Sequence, residues 1–277
     1  MSAFAIEVKN ASFRYGEKEI FENISFSVKA GEIFCILGPN GCGKTTLLDC
    51  ILGILKLNSG EVLINQLSKN KLKQKQLAEI MAYVPQIHER TFPYTVEEIV
   101  LMGRAHKTDL FSSPTKKDKE IAMEAMKKVG IEQLSKKPYT QISGGQCQLV
   151  MIARALAQQP KLIIMDEPTS HLDFKHELIL LETIVDLIKE KNISIIMATH
   201  FPNQAYYFEN NHINTTLALM NNSSFEIIGS PEKVLNEENI RKTYNVNSKV
   251  IMYEVNKKQK IRQIMPLSID RRDRYRY

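Results

Sequence analysis

At 277 residues, with 43% hydrophobic and 25% charged residues, the chain has an ordinary globular composition and material for one large α/β domain or two modest ones. No apolar run is long enough to span a bilayer, and the start MSAFAIEVKN lacks the basic-then-apolar order of a secretory signal, so the chain is expected to stay in the cytosol. A net charge of +6 admits an anionic partner (a nucleotide, a membrane surface or nucleic acid) without choosing among them.

In chain order, residues 4–15 read as extended, with Phe13 and Tyr15 on one face by period-two spacing. Residues 24–28 alternate as a half-buried strand. Ala30-Gly31-Glu32 then turns the chain into an apolar strand over 33–37. Gly38-Pro39-Asn40-Gly41-Cys42-Gly43-Lys44-Thr45 follows, and a helix-like run over 46–55 comes after it. Glycines here let backbone N–H groups turn inward toward a phosphate, and the helix start adds a field that favours anions. Lys44 would reach the β- and γ-phosphates and the Thr45 hydroxyl a Mg²⁺, so the stretch predicts a nucleoside triphosphate site.

Further along, 61–64 and 80–84 read as strands, the latter ending at Pro85-Gln86. The basic run 69–75 reads as a solvated helix face. Residues 95–129 turn helical: Thr95 and Glu98 form a capping-box pair, Thr115 opens a second helix, and Gly130 ends it. A helical insertion between strands of an α/β core is expected here. Residues 146–157 are helical, 162–165 form a fully apolar strand ending in Asp166-Glu167, 178–188 are helical, and 193–197 form a buried strand ending near Thr199-His200. Continuous apolar strands alternating with helices predict a largely parallel sheet. Residues 217–220 and 225–228 read as a hairpin, Ser230-Pro231 as the start of a helix running to about Tyr244, and 249–255 with 261–266 as a last strand pair. The basic, aromatic residues 271–277 read as a solvated tail.

Among the four cysteines, Cys35, Cys42, Cys50 and Cys147, no CxxC pair occurs, and no His cluster has metal-ligand spacing. Cys35 reads as core. Cys42, inside the phosphate loop, reads first as a small residue that fits there, a reading that outweighs a redox role, although a helix start lowers thiol pKa and leaves reactivity open.

Asp166 at the end of an apolar strand suits a Mg²⁺ shell, and Glu167 beside it is placed to polarise a water for attack on the γ-phosphate. Ile142-Ser143-Gly144-Gly145-Gln146 opens a helix and offers a second set of N–H groups for a phosphate. This run resembles the signature motif of the ABC ATPases. With Gln86, Asp173 and His200 in order, the resemblance covers about residues 4–266. It implies one ABC ATPase domain over 1–266, α/β in class, with a mainly parallel sheet, an N-terminal antiparallel part and a helical insertion over about 87–145, followed by the basic tail 267–277.

The resemblance also implies roles for residues. Tyr15 stacks on adenine. Gly38, Pro39, Asn40, Gly41, Cys42, Gly43, Lys44, Thr45 and Thr46 hold the ATP phosphates, while Thr45, Gln86 and Asp166 serve the Mg²⁺. Glu167 is the general base, His200 contacts the γ-phosphate and helps organise the attack, and Lys44 and Gln86, which also links the core to the helical insertion, complete the catalytic set. Ser143, Gly144, Gly145 and Gln146 bind the ATP held by the opposite subunit, and Asp173 sits in the loop crossing between the two sites. Two copies pair head to tail and bind an integral membrane permease from its cytoplasmic face, with a substrate-binding protein as an indirect partner and no nucleic acid.

The stretches Thr95-Val96-Glu97-Glu98-Ile99-Val100-Leu101-Met102-Gly103-Arg104, Pro168-Thr169-Ser170-His171-Leu172-Asp173-Phe174 and Lys242-Thr243-Tyr244-Asn245-Val246 resemble the ATPase subunits of metal-chelate importers, with iron–siderophore as first cargo and molybdate, cobalamin or haem as alternatives. From a different class, a nucleic-acid- or ribosome-associated ABC ATPase stays open, although one domain without sustained heptads speaks against it. Two departures from the family pattern are Ile142, where Leu is usual, and Cys147, where a polar residue is usual; Cys147 is expected to alter the packing of its helix start.

Overall fold

A computed structural model of the chain describes residues 4–86, 92–107, 113–170, 172–256 and 259–270. His171 and the tail segment 271–277 lie outside them. β1 (Phe4–Tyr15) and β2 (Lys18–Lys29) form an antiparallel hairpin through the two-residue turn Gly16-Glu17, and the predicted strand over 24–28 is the inner half of β2. β3 (Ile33–Leu37) leads through the glycine-rich loop into α1 (Lys44–Leu52). β4 (Ser59–Ile64), β5 (Leu67–Ser68), α2 (Gln74–Ile80) and β6 (Met81–Val84) follow. The helical section holds α3 (Val96–Leu101), which tightens into a 3₁₀ turn over Met102–Lys107, then α4 (Lys116–Lys128) and α5 (Gly144–Ala157). The chain continues through β7 (Leu162–Asp166), α6 (Phe174–Lys191), β8 (Ser194–Thr199), α7 (Pro202–Asn210), β9 (Thr215–Asn221) and β10 (Ser224–Gly229). It ends with α8 (Pro231–Val234), α9 (Glu237–Tyr244), β11 (Val246–Asn256) and β12 (Gln259–Ile269).

Among the described residues the strands order as β2-β1-β4-β5, as β10-β9-β3-β8-β7-β6 and as the pair β11-β12. In the middle sheet β9, β3, β8, β7 and β6 run parallel and β10 is antiparallel, as the unbroken apolar strands predict. Period-two alternation divides its side chains between two cores. Ile33, Cys35 and Leu37 of β3 join Met165 and Met197 in the core under α5 and α6. Phe34 and Ile36 point the other way, toward α1 and the antiparallel sheet, where Phe26 stacks on Phe34 at 4.4 Å. Burial on both faces leaves only the strand ends open for chemistry.

α3 and α4 pack on α5. A buried Arg104 fastens them: its Nε donates to Asp118 at 2.9 Å, and its Nη1 donates to the Ala157 carbonyl at 2.9 Å and to Gln159 at 3.1 Å. Among the described residues no helix is long and apolar enough to cross a membrane.

Three sequence expectations change. The helix expected from Ser230 to Tyr244 is two helices. Leu235 leaves helical geometry, the Asn236 side chain caps α9 by accepting from the Asn239 N–H at 2.9 Å, and Ser230 makes no side-chain cap bond. The basic run 69–75 is not one solvated face, because the Lys69 Nζ donates to the Cys50 carbonyl at the end of α1. There it adds to the bond that the Cys50 carbonyl accepts from the Gly53 N–H and favours the carbonyl end of α1, while burial lowers its pKa. α6 begins at Phe174 rather than 178, because Asp173 caps it by accepting from the His176 N–H at 2.9 Å.

Candidate active site

Strand order gathers the predicted residues. β3, β8 and β7 lie side by side with Leu37 opposite Thr199 and Ala198 opposite Asp166, so the glycine-rich loop, His200 and Glu167 all leave the sheet at its carboxyl edge. β6 pairs with β7 and delivers Gln86 to the same edge. A cavity of about 380 Å³ opens there, lined by Asn40, Gly41, Gly43, Lys44, Thr45, Thr46, Gln86 and Glu167, with Ile20 on its wall.

The loop favours glycine at three points: Gly41 and Gly43 have φ of 79° and 105°, and a Cβ at Gly38 would run into the Met220 carbonyl and the Cys42 sulfur. Lys44 is 5% exposed; its Nζ donates to the Gly38 carbonyl at 2.8 Å and the Pro39 carbonyl at 3.1 Å, and lies 3.4 Å from Glu167 Oε1. The other Glu167 oxygen, Oε2, accepts from Gln86 Nε2 at 2.9 Å and faces His200 Nδ1 at 3.1 Å. Glu167 itself sits at φ 43°, a conformation uncommon for a residue with a side chain, and its N–H donates to the Ala198 carbonyl at 3.0 Å. One carboxylate thus touches the phosphate-loop lysine, the strand-end glutamine and the histidine.

Asp166 is 1% exposed, and burial raises its carboxyl pKa against a lowering hydrogen bond from the Thr45 hydroxyl. Its Oδ1 has no hydrogen-bond partner. A buried carboxylate oxygen without a partner, next to a hydroxyl, is a set of hard oxygen donors that fits a Mg²⁺ ion.

Cys42 agrees with the small-residue reading: although it sits at a helix start, burial pushes its thiol above the ordinary range, with Lys44 opposing. Cys147 is buried without disturbing the helix, its N–H donating to the Ser143 carbonyl at 2.9 Å.

Other predicted residues stand apart from this cavity. Ser143 caps α5 by accepting from the Gln146 N–H at 3.2 Å, and the Gln146 side chain accepts from the Ser143 N–H at 3.1 Å. Gly145 lies against Leu172 and His176, next to Asp173 at the start of α6. These residues form a second cluster that does not line the phosphate cavity. Tyr15 is 53% exposed at the end of β1 and meets Phe13 edge-on at 4.8 Å. Ile20 and Gln204 escape motif reading, because each enters through tertiary packing rather than through a spacing, and Thr169, though inside a quoted stretch, carries no role there.

The ABC transporter family model matches residues 21–170, more than half of the chain. The chain belongs to the ABC transporter ATP-binding family. A molybdate import ATP-binding protein of Haemophilus influenzae is 35% identical over 87% of this chain and 88% of its own. An iron chelatin transport ATP-binding protein of Helicobacter pylori is 40% identical over 72% and 78%. Among solved structures, a metal-chelate type ABC transporter in an inward-facing conformation matches with TM-score 0.83 at 33% identity, covering 96% of this chain and 98% of that one. A dimeric ABC transporter cassette, also solved with ADP and Pi after hydrolysis, matches with TM-score 0.70 at 27% identity over 82% and 98%. This ABC ATPase has the α/β fold expected of it, binds adenine nucleotide and hydrolyses ATP in the service of transport.

Proposed function

We propose that the chain is the motor subunit of an importer, a head-to-tail homodimer on the cytoplasmic face of a membrane permease, and that it energises uptake of a metal chelate, iron–siderophore first. The observation that carries the dimer is the separation of its two phosphate-binding segments. The loop of residues 38–45 lines the cavity, whereas the α5 start at Ser143–Gln146 belongs to a different cluster. One chain then supplies half of each of two sites, and the solved dimer of a related cassette supports the pairing of two copies. Residues 1–266 act as one ATPase domain, Tyr15 stacks on adenine, and the insertion over about 87–145 offers exposed Phe92, Tyr94 and Met102 to a permease helix. The metal-chelate reading draws on the inward-facing transporter and the iron chelatin relative; the molybdate relative supports the second cargo.

In the mechanism, N–H groups of the glycine-rich loop and Lys44 hold the β- and γ-phosphates. Thr45, Asp166 and Gln86 are the residues that would hold Mg²⁺, which when bound offsets charge on the transferred phosphoryl group. Glu167 takes the proton of the attacking water, and Gln86 and His200 both hold its Oε2 in place. Ser143, Gly144, Gly145 and Gln146 of the opposite copy close over the γ-phosphate, and Asp173 lies where the two sites meet.

Subunit mixing tests this. Lys44→Ala damages the loop half and Ser143→Arg the signature half; each homodimer lacks an intact site, but a mixed dimer keeps one. ATPase activity that appears only on mixing supports the shared site, and silence of the mixture refutes it. Uptake of labelled iron–siderophore against molybdate, in cells carrying the chain with its permease, decides the cargo.

A further inference from the structure

Behind Glu167, three catalytic segments meet at one buried amide. Gln204, in the first turn of α7, is 3% exposed. Its Oε1 accepts from the Thr199 hydroxyl at 2.8 Å, and its Nε2 donates to the Thr169 hydroxyl and the Glu177 carboxylate, each at 2.8 Å. Thr199 and Thr169 are buried as well. The amide can lie only this way round, because a flipped side chain would aim its oxygen at the Glu177 carboxylate.

Each partner belongs to a different working part. The Thr199 oxygen also accepts from the Phe201 N–H at 3.1 Å, so the contact holds the backbone on both sides of His200. Thr169 sits in the turn leaving Glu167, where the Ser170 N–H donates to the Glu167 carbonyl and the Leu172 N–H to the Thr169 carbonyl, both at 3.1 Å. Glu177 lies in the first turn of α6, which Asp173 caps. The turn after Glu167, through Thr169, and the His200 segment, through Thr199, therefore share one bonded side chain, and neither can shift without breaking a buried hydrogen bond or carrying the other along.

We propose that Gln204 is a positioning residue that ties the Asp173 loop, which faces the second copy, to the His200–Glu167 pair, so that closure against the partner sets the hydrolytic geometry. This rests on the roles given above to Glu167, His200 and Asp173. Gln204 touches no substrate and acts through Thr169 and Thr199.

The test is steady-state ATP hydrolysis by the full chain, read against ATP concentration. Gln204→Met keeps the shape and removes every polar contact. Expected are a kcat lower by about 10- to 100-fold, a half-saturating ATP concentration within about 2-fold of wild type, and a Hill coefficient falling toward one. Thr169→Val and Thr199→Val each remove one hydroxyl and form a cycle that stands even if Gln204→Met fails to fold. If the amide joins them, the double variant loses little more kcat than the worse single variant. Multiplying losses in the threonine cycle overturn the proposal. So does a Gln204→Met chain that melts earlier but keeps wild-type kcat and Hill coefficient. A wild-type chain without ATPase activity would overturn the reading beneath the proposal, and the proposal with it.

Discussion

Glu167→Gln separates the proposed base from the binding site. The substitution keeps the shape of the side chain and its acceptor for Gln86, but removes the charge that lies 3.4 Å from Lys44 Nζ. At an effective dielectric of about 20, that pair interacts by roughly 5 kcal/mol before desolvation, and the net contribution of a charged hydrogen bond is about 1.5–3 kcal/mol. Lys44 keeps its bonds to the Gly38 and Pro39 carbonyls, so the loop does not unravel. With no carboxylate competing for the lysine, ATP binding should tighten, about tenfold if 1.4 kcal/mol of that net term is recovered. Hydrolysis should fall by about 10²- to 10⁴-fold, the range for a lost general base. Phosphate release measures the second effect, titration with a fluorescent ATP analogue the first, and size-exclusion chromatography with ATP shows whether a dimer accumulates. Hydrolysis within about threefold of wild type would refute the assignment of the base. ATP binding weakened about tenfold would show that Glu167 helps hold the nucleotide and does not compete for Lys44.

Other consequences can be checked directly. Arg104→Met strips a buried carboxylate and the Ala157 carbonyl of their partner, so the chain should lose about 3 kcal/mol in urea unfolding, while Arg104→Met with Asp118→Leu should recover part of it. Asp118 is held down to about 2 by the Thr115 and Arg104 hydrogen bonds, so its stabilisation is complete above the ordinary carboxylate value of 3.8 and fades as pH falls toward about 2. The stability gap between wild type and Asp118→Asn should shrink over that window; a constant gap contradicts it. Cys42, pushed up by burial, should react with iodoacetamide at pH 7.5 more slowly than a free thiol and faster as pH rises; a rapid burst at neutral pH would restore the activated-thiolate reading. Asp173→Ala removes the α6 cap and should lower stability by about 1 kcal/mol, with a larger fall in ATPase rate than the melting change explains.

Most of the fold was legible because its strongest signals are local. Residues 33–37 and 162–165 are apolar at every position, as strands covered on both faces must be, and the structure places β3 and β7 in the parallel sheet. Thr95 with Glu98, Thr115 with Asp118 and Ser143 with Gln146 each close a capping box, and a cap is decided within four residues. The misreadings fall where a distant group overrides the local pattern. Lys69 leaves its solvated run because its ammonium reaches the Cys50 carbonyl at the end of α1, and at the break between α8 and α9 the Leu235 carbonyl accepts from the distant Tyr206 hydroxyl. The same distinction divides the site. In the proposed mechanism Lys44, Thr45, Asp166 and Glu167 approach a phosphate from fixed positions, and such residues show in one sequence as the glycine-rich loop and the acidic strand end. Gln204 meets Thr169 across 35 positions and Glu177 across 27, with no substrate to impose a spacing, and only the folded chain shows that they share a bond. Residues that hold the reactant are therefore visible as motifs. Residues that hold those residues become visible only when each buried donor and acceptor is followed to its partner.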